Sequence, residues 1–410
     1  MRKVIVRAAG VVAGAASLAG VANAEDAGSI SEAIQNGELI AEARARYETF
    51  EQVGQNDADA LTLRSRLGWQ TGTWNGLSAL VEFEDVRDLG GDYNDGIPPA
   101  EPYATIGDPP GTELNRLQLR WQINQHLNAT IGRQYISFDD NRFLDVSNSR
   151  QDARTLDALR ADFTLNGLKA TYAYVDHVNN TTAEYNDWES ASHLLNVSQT
   201  FSDAFKLTGF GYFFDFDEPA SAINQSSQFL GVRATGKDIE ALGLTWSYAA
   251  SYAQQQDYGS STVSFDLDYW QASVTAEYGE WSVQLWQETL EGDGARGFFT
   301  PLGSSNSFHG WAGAFISKPA DGLVDRNVML SYSPEWAPDF LEDLTFMVRY
   351  YDFEAERTDA DFGEEWDFAV GADITDNLDF SIDYGDYESG DGPGSPMSRT
   401  RTRFVLQYRL

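Results

Sequence analysis

Arginine is the residue type with the most chemistry to offer here, and its spacing is regular. Arg44 and Arg46, Arg64 and Arg66, and Arg116 and Arg120 fall two or four positions apart, and Arg160 sits two before Asp162. Glu42, Glu48, Glu82 and Glu84 keep the same parity in neighbouring segments. In an extended chain, side chains two apart share a face, so these charges line up if the segments are strands. Guanidinium is permanently charged and can pair bidentately with carboxylates on a wall or on a solute. Two roles stay open: a cross-strand ion-pair ladder bracing a wide barrel, and a conduction path that selects solutes by charge.

Other chemistry is sparse. With no cysteine and four histidines, zinc ribbons, iron-sulfur centres and thiol nucleophiles have no ligands to draw on. His126, His177, His193 and His309 show no consistent spacing to a serine and an orienting acid, although Ser307 is near His309. No catalytic residue, cofactor or metal is expected. Asp92-Tyr-Asn-Asp-Gly96 has oxygen ligands in the manner of a calcium loop, but its glycine is misplaced, and a solvated acidic loop is the preferred reading.

The elements that must position the arginines are strands. Leu61, Leu63, Leu67 and Trp69 alternate with Thr62, Arg64, Arg66 and Gly68; Leu117, Leu119, Trp121 and Ile123 alternate with Arg116, Gln118, Arg120 and Gln122. This period of two predicts strands with one apolar face, and about 18 of them, the first near 39–50 and the last near 400–410. Alternate connections are short, as at Asn166-Gly167, a type I′ hairpin signal, whereas those near 87–113, 137–154 and 291–326 are long and acidic. Short turns on one rim and long loops on the other predict an all-β fold, a transmembrane antiparallel β-barrel with short periplasmic turns and long extracellular loops. Trp69, Trp74, Tyr278, Trp281, Trp336 and Trp366 stand at strand ends, where a lipid interface takes aromatic girdles. The opposite faces read as polar throughout, which predicts a wet interior.

Composition agrees. The 410 residues carry 63 Asp+Glu against 28 Lys+Arg, a net charge of −35 that excludes nucleic acid as a partner. Residues 1–24, with Arg2, Lys3 and Arg7 before an apolar run ending Ala22-Asn23-Ala24, read as a secretory signal cleaved near Ala24. Residues 25–410 form the barrel, placed in a bacterial outer membrane. Much of the acid falls in predicted external loops, including Asp88, Asp92 and Asp95, Asp139, Asp140 and Asp145, and Asp386, Glu388 and Asp391. Such loops suit solvent, with divalent cations bridging them to lipopolysaccharide.

Gly132-Arg133-Gln134, Asp139-Asp140-Asn141-Arg142-Phe143, Arg150-Gln151 and Thr155-Leu156-Asp157-Ala158-Leu159 together resemble the signature of the alginate export family of outer-membrane proteins. Residues 60–68 with 71–76 and 81–86 resemble its N-terminal hairpin. Residues 300–303, 308–312 and 319–323 resemble its long late loop. The resemblance implies a monomeric 18-stranded porin, inserted by the barrel assembly machinery, passing small polar or anionic solutes or a uronate polymer. It also implies an arginine-lined pore narrowed by inward-folded third and seventh external loops, with Arg142, Arg150 and Trp311 at the constriction. Ser149 stands where the family has Trp, and Leu156 where it has an aromatic. Arg133 shares parity with the outward Leu127 and Ile131, so it must lie beyond the apolar band, at a bulge or in an inward loop. The rival class is a structural or adhesion barrel plugged by its loops.

Overall fold

The structure, a computed structural model, describes residues 26–182, 185–304, 307–338 and 340–410; the signal segment expected at 1–24 lies outside them. Among the described residues nineteen strand segments follow one another around a single antiparallel sheet. They are β1 (Glu38–Gln52), β2 (Ala58–Gln70), β3 (Leu77–Gly90), β4 (Gly111–Gln122), β5 (Leu127–Gln134), β6 (Thr155–Leu165), β7 (Leu168–Asn179), β8 (Trp188–Ser202) and β9 (Phe205–Phe214). Then come β10 (Phe216–Glu218), β11 (Ser227–Ala241), β12 (Leu244–Asp257), β13 (Asp266–Tyr278), β14 (Trp281–Leu290) and β15 (Leu323–Tyr332). The last four are β16 (Glu342–Glu354), β17 (Asp361–Thr375), β18 (Leu378–Ser389) and β19 (Arg399–Arg409). β10 continues the pairing of β9 with β8 past a break at Asp215, so the nineteen segments make 18 staves. The sheet closes because β1 pairs with both β2 and β19, Ala43 facing Ser65 on one side and Tyr408 on the other. Closure removes both sheet edges, and an even stave number brings both chain ends to one rim.

The alternation acts as expected. Leu67, Phe83, Leu117, Ile131, Leu285, Phe368 and Phe404 stand exposed on the outside, while Arg64, Glu82, Glu84, Gln118 and Arg403 are buried inside. The turn between β6 and β7 has Asn166 at φ 50° and Gly167 at φ 81°, the left-handed pair a type I′ turn requires. At that rim Tyr278, Trp281 and Trp336 are exposed, and Trp281 stacks on Tyr332 at 4.4 Å. A short helix, α1 (Ile30–Gln35), capped by the Ser29 side chain, seals the same rim; Trp69 Nε1 donates to Ile34 O at 3.0 Å.

The interior departs from the wet lumen that the polar faces predict. The half lined by β19 and β1–β4 carries an almost continuous ionic wall. On the other half the inward faces carry Phe210, Tyr212, Phe214, Phe229, Tyr269, Tyr351 and Phe353, all buried in one apolar cluster. Two long loops fill it: L3 (135–154) inserts Phe143 and L7 (291–322) inserts Phe298 and Phe315. Phe143 meets Phe210 at 5.1 Å and, edge-on, Tyr269 at 5.2 Å. Each such pair adds about 0.5–1.5 kcal/mol beyond its buried area. Sequence periodicity missed the cluster because strand alternation separates faces without saying what folds onto the inner one.

Candidate functional site

The site begins with the ionic half-wall. Arg44 and Arg46 on β1, Arg64 and Arg66 on β2, Glu82 and Glu84 on β3, and Arg116 on β4 all point inward, as their parity requires, and all are buried. Arg116 makes a bidentate pair with Glu82 (2.9 and 2.6 Å), Arg66 pairs with Glu84, Arg64 with Glu42, and Arg46 with Asp108 of loop L2 (91–110). A bulge at Asn115 lets both it and Arg116 reach Glu82. Arg160 chelates Asp162 from Nε at 3.0 Å and Nη2 at 2.8 Å, half-exposed. Arg120 lies nearer the short-turn rim, with no carboxylate within 4.0 Å among the described residues.

These arginines also grip L3. Arg44 donates Nε to Gln151 Oε1 (2.9 Å), Nη1 to Asn148 O (2.7 Å) and Nη2 to Arg150 O. Arg46 donates to Ser149 O at 2.6 Å, and Arg64 to Asn148 Oδ1 at 2.9 Å and Gln151 O at 3.0 Å. Gln151, fully buried, donates Nε2 to Thr62 Oγ1 at 2.8 Å and its own N–H to Asp108 Oδ1 at 2.8 Å. The half-wall is therefore a socket for the L3 main chain. The acids of L3 fold inward too, contrary to the solvated loop expected of them: Asp140 pairs with Arg233 at 2.7 Å, Asp139 accepts from Asn196 at 2.8 Å, and Asp145 is buried. Arg133 finds Asp157 at 2.9 Å from the end of β5 next to L3, so the outward-parity arginine sits beyond the apolar band. In the Asp92-Tyr-Asn-Asp-Gly96 stretch, the Asn94 and Asp95 side chains accept from the backbone N–H groups of Gly96 and Ile97.

L3 and L7 meet across the lumen. Asp145 N donates to Leu302 O at 2.8 Å and Ser304 N to Asn141 O at 2.9 Å. Arg142, of L3, is buried and donates Nε to Glu288 Oε1 of β14 at 2.6 Å and Nη2 to His309 Nε2 of L7 at 3.0 Å. His309 Nδ1 lies 2.9 Å from Asp325 Oδ2. Burial, with Lys318 and Arg142 nearby, pushes the imidazole well below its ordinary pKa. Its Nε2 also lies 3.2 Å from Glu288 Oε2, so the ring bridges the two carboxylates of β14 and β15. Trp311 is buried against Met329, Met347 and Ala369, and its N–H and that of Ala312 donate to Asp367 (3.3 Å) and Glu365 (2.7 Å). This band of L3 and L7 residues forms a septum.

A cavity lies on each side of it. Toward the long loops is a vestibule of about 860 Å³. Its lining includes Arg150, Arg154, Arg296, Lys318, Arg399 and Arg401, and among the described residues no Asp or Glu. Arg154 donates to Asn180 Oδ1 and Leu302 O, Arg296 to Asn224 O, and Arg399 to Gly313 O, all neutral acceptors. Burial, with Arg142 adding to it, brings the Lys318 ammonium down to about 7. Of these six cations only Arg150 was singled out in the sequence. Arg399 and Arg401 share the inward parity of β19, opposite Phe404 and Leu406, and so carried a readable signal, whereas Arg154, Arg296 and Lys318 are loop residues with none. On the other side of the septum, a chamber of about 410 Å³ lies between L3, L7 and the inward faces of β11–β16.

The fold has solved counterparts. OccAB2 of Acinetobacter baumannii superposes with a TM-score of 0.73 at 17% identity, covering 92% of this chain and 99% of that one. OccK2 (OpdF) of Pseudomonas aeruginosa, solved in complex with glucuronate, gives 0.71 at 13%, covering 92% and 98%. OpdK of the same organism, solved with vanillate, gives 0.69 at 14%, covering 92% and 99%. No family model matches the chain, that of the alginate export family included, and no curated protein matches it. What the solved structures share with this protein is its fold, a closed antiparallel barrel of 18 staves.

Proposed function

We propose that this protein is a monomeric outer-membrane channel for the passive diffusion of small polar solutes, with a preference for anions. The observation that carries the reading is the vestibule. In a chain of net charge −35, its lining holds six cations and, among the described residues, no carboxylate; Arg150 and Arg401 pair with Glu48 behind the wall, and Arg154, Arg296, Lys318 and Arg399 have no carboxylate within 4.0 Å among the described residues. Cations in a recessed, low-dielectric mouth focus field lines and raise the local concentration of anions. The exposed apolar outer surface with aromatic residues at strand ends supports insertion in a bilayer alongside lipopolysaccharide. Vanillate and glucuronate, bound by the barrels of like fold, are both carboxylates. On this reading the buried arginines hold L3 in place, and the vestibule cations meet the solute.

The test is a reversal potential across a KCl gradient in planar bilayers. The intact protein shows discrete conductance with an anion preference, and Arg296→Gln with Arg399→Gln moves the potential toward cation selectivity. Absence of conductance would favour the loop-plugged structural barrel. Export of an alginate-like uronate polymer is the narrower version, supported by the sequence resemblance alone; a knockout that loses secreted uronate while retaining small-solute uptake would favour it. A vestibule of about 860 Å³ is of small-ligand size, which favours the solute reading.

A further inference from the structure

The chamber beyond the septum is built differently from the vestibule. Its wall presents Thr235, Ser247, Ser273 and Thr275, small hydroxyl side chains that leave the space open, and beside them Gln284, Asn327, Trp286 and Arg349. The two carboxylates that also line it are engaged, Asp140 by Arg233 and Asp325 by His309 and Asn327. Arg349, half-buried on β16, donates Nε to Asn327 Oδ1 and Nη2 to Gln284 Oε1, both at 2.9 Å. These neutral amides fix the plane of the guanidinium; the nearest carboxylates, Asp325 of the chamber wall and Asp367 opposite on β17, act on it through space and not by direct contact. Among the described residues no carboxylate lies within 4.0 Å of it, and none of the hydrogen bonds uses Nη1. The Trp286 ring lies 5.9 Å from the guanidinium carbon and the Tyr351 ring 5.2 Å. Every other arginine of the chamber and septum is neutralised: Arg233 by Asp140, Arg142 by Glu288.

We infer that this chamber is a second, internal binding site for a monosaccharide carboxylate, a uronate or aldonate, with the carboxylate on Arg349, the ring against Trp286, and the hydroxyls on the Ser, Thr, Asn and Gln side chains. An oriented arginine with no carboxylate in direct contact selects a carboxylate. A flat indole face beside four hydroxyl side chains selects a polyhydroxylated ring over a bare aromatic one, which would leave those polar groups unpaired. A site of about 410 Å³ admits one sugar ring and excludes a chain of them. The inference rests on the channel reading, and adds that the solute pauses after it has passed the loops.

The experiment is calorimetric titration of D-glucuronate, glucose and benzoate into the full mature protein in detergent, which does not depend on conductance. D-glucuronate binds at least about tenfold tighter than either control, and Arg349→Gln loses about tenfold or more of that affinity. Ser273→Phe, which fills the chamber and leaves the bonds of Arg349 in place, loses it as well, so that loss does not rest on a single variant; unchanged heat-modifiable mobility of both confirms folding. Lys237→Gln, an exposed cation that lines neither cavity, leaves the affinity within about twofold. Unchanged binding in both chamber variants overturns the inference and leaves the channel reading standing. Equal affinity for glucose overturns the role of Arg349. Glucuronate binding that is lost in the chamber variants, in a protein with no conductance, would retain the site and discard the channel.

Discussion

Replacing Gln151 by Ala tests whether the arginine half-wall acts as a socket for L3. The side chain accepts from Arg44 Nε at 2.9 Å and donates to Thr62 at 2.8 Å, in a fully buried setting. A hydrogen bond to a charged group contributes about 1.5–3 kcal/mol and a neutral one about 1 kcal/mol. Truncation leaves Arg44 Nε without its acceptor while the carbonyl contacts to Asn148 and Arg150 persist, so the loss is about 2.5–4 kcal/mol of L3 seating. At 1.36 kcal/mol per decade this is roughly two to three orders of magnitude in the equilibrium for local opening. Hydrogen exchange reads it directly: amides 147–152 should exchange faster by that factor under conditions where opening is a pre-equilibrium, with barrel-strand amides unchanged. Single-channel records should show added flicker. Acceleration below about threefold at those amides would refute the socket, since L3 would then be held by Phe143 and the septum alone.

Other outcomes follow from the same geometry. Lys318 carries its charge below about 7 and sheds it above, so anion preference should fall between pH 6 and 8; Lys318→Arg should abolish that step, and reversal potentials measured across the pH range check both. Arg142→Met leaves the buried Glu288 without its cationic partner, with the Tyr269 hydroxyl still donating to it at 2.6 Å; this should cost about 3–5 kcal/mol and lower the thermal midpoint of the folded barrel, whereas the double variant Arg142→Met with Glu288→Gln should recover much of the loss. Leu285, exposed near the middle of β14, faces lipid; Leu285→Arg should lower folding stability in vesicles by about 2–4 kcal/mol, read by urea titration, while the same change at the rim residue Phe201 should cost far less.

The barrel was legible because each stave writes its two environments into a period of two, and closure then needs only an even count and short turns. Arg64, Arg66 and Arg116 were legible as inward residues for the same reason. Their partners were not: whether a guanidinium meets a solute or the carbonyl of Ser149 depends on where an 80- to 110-residue excursion returns, and strand periodicity does not record loop paths. The same blindness hid the cations of the vestibule in L3 and L7, and it made the Phe210-Tyr212-Phe214 face look like one more stave when it is the surface on which the aromatic residues of L3 and L7 pack.

The socket grips L3 mainly by its peptide carbonyls, those of Asn148, Ser149, Arg150 and Gln151. Carbonyls are the same whatever side chain they belong to. These four bonds therefore follow the path of the loop and not its side chains, and a substitution in the stretch leaves their acceptors in place. The Arg150 side chain adds a second tie, to Glu48 at 3.7 Å and Asp108 at 3.9 Å, so the same residue couples the loop to the ionic wall and presents a charge to the vestibule.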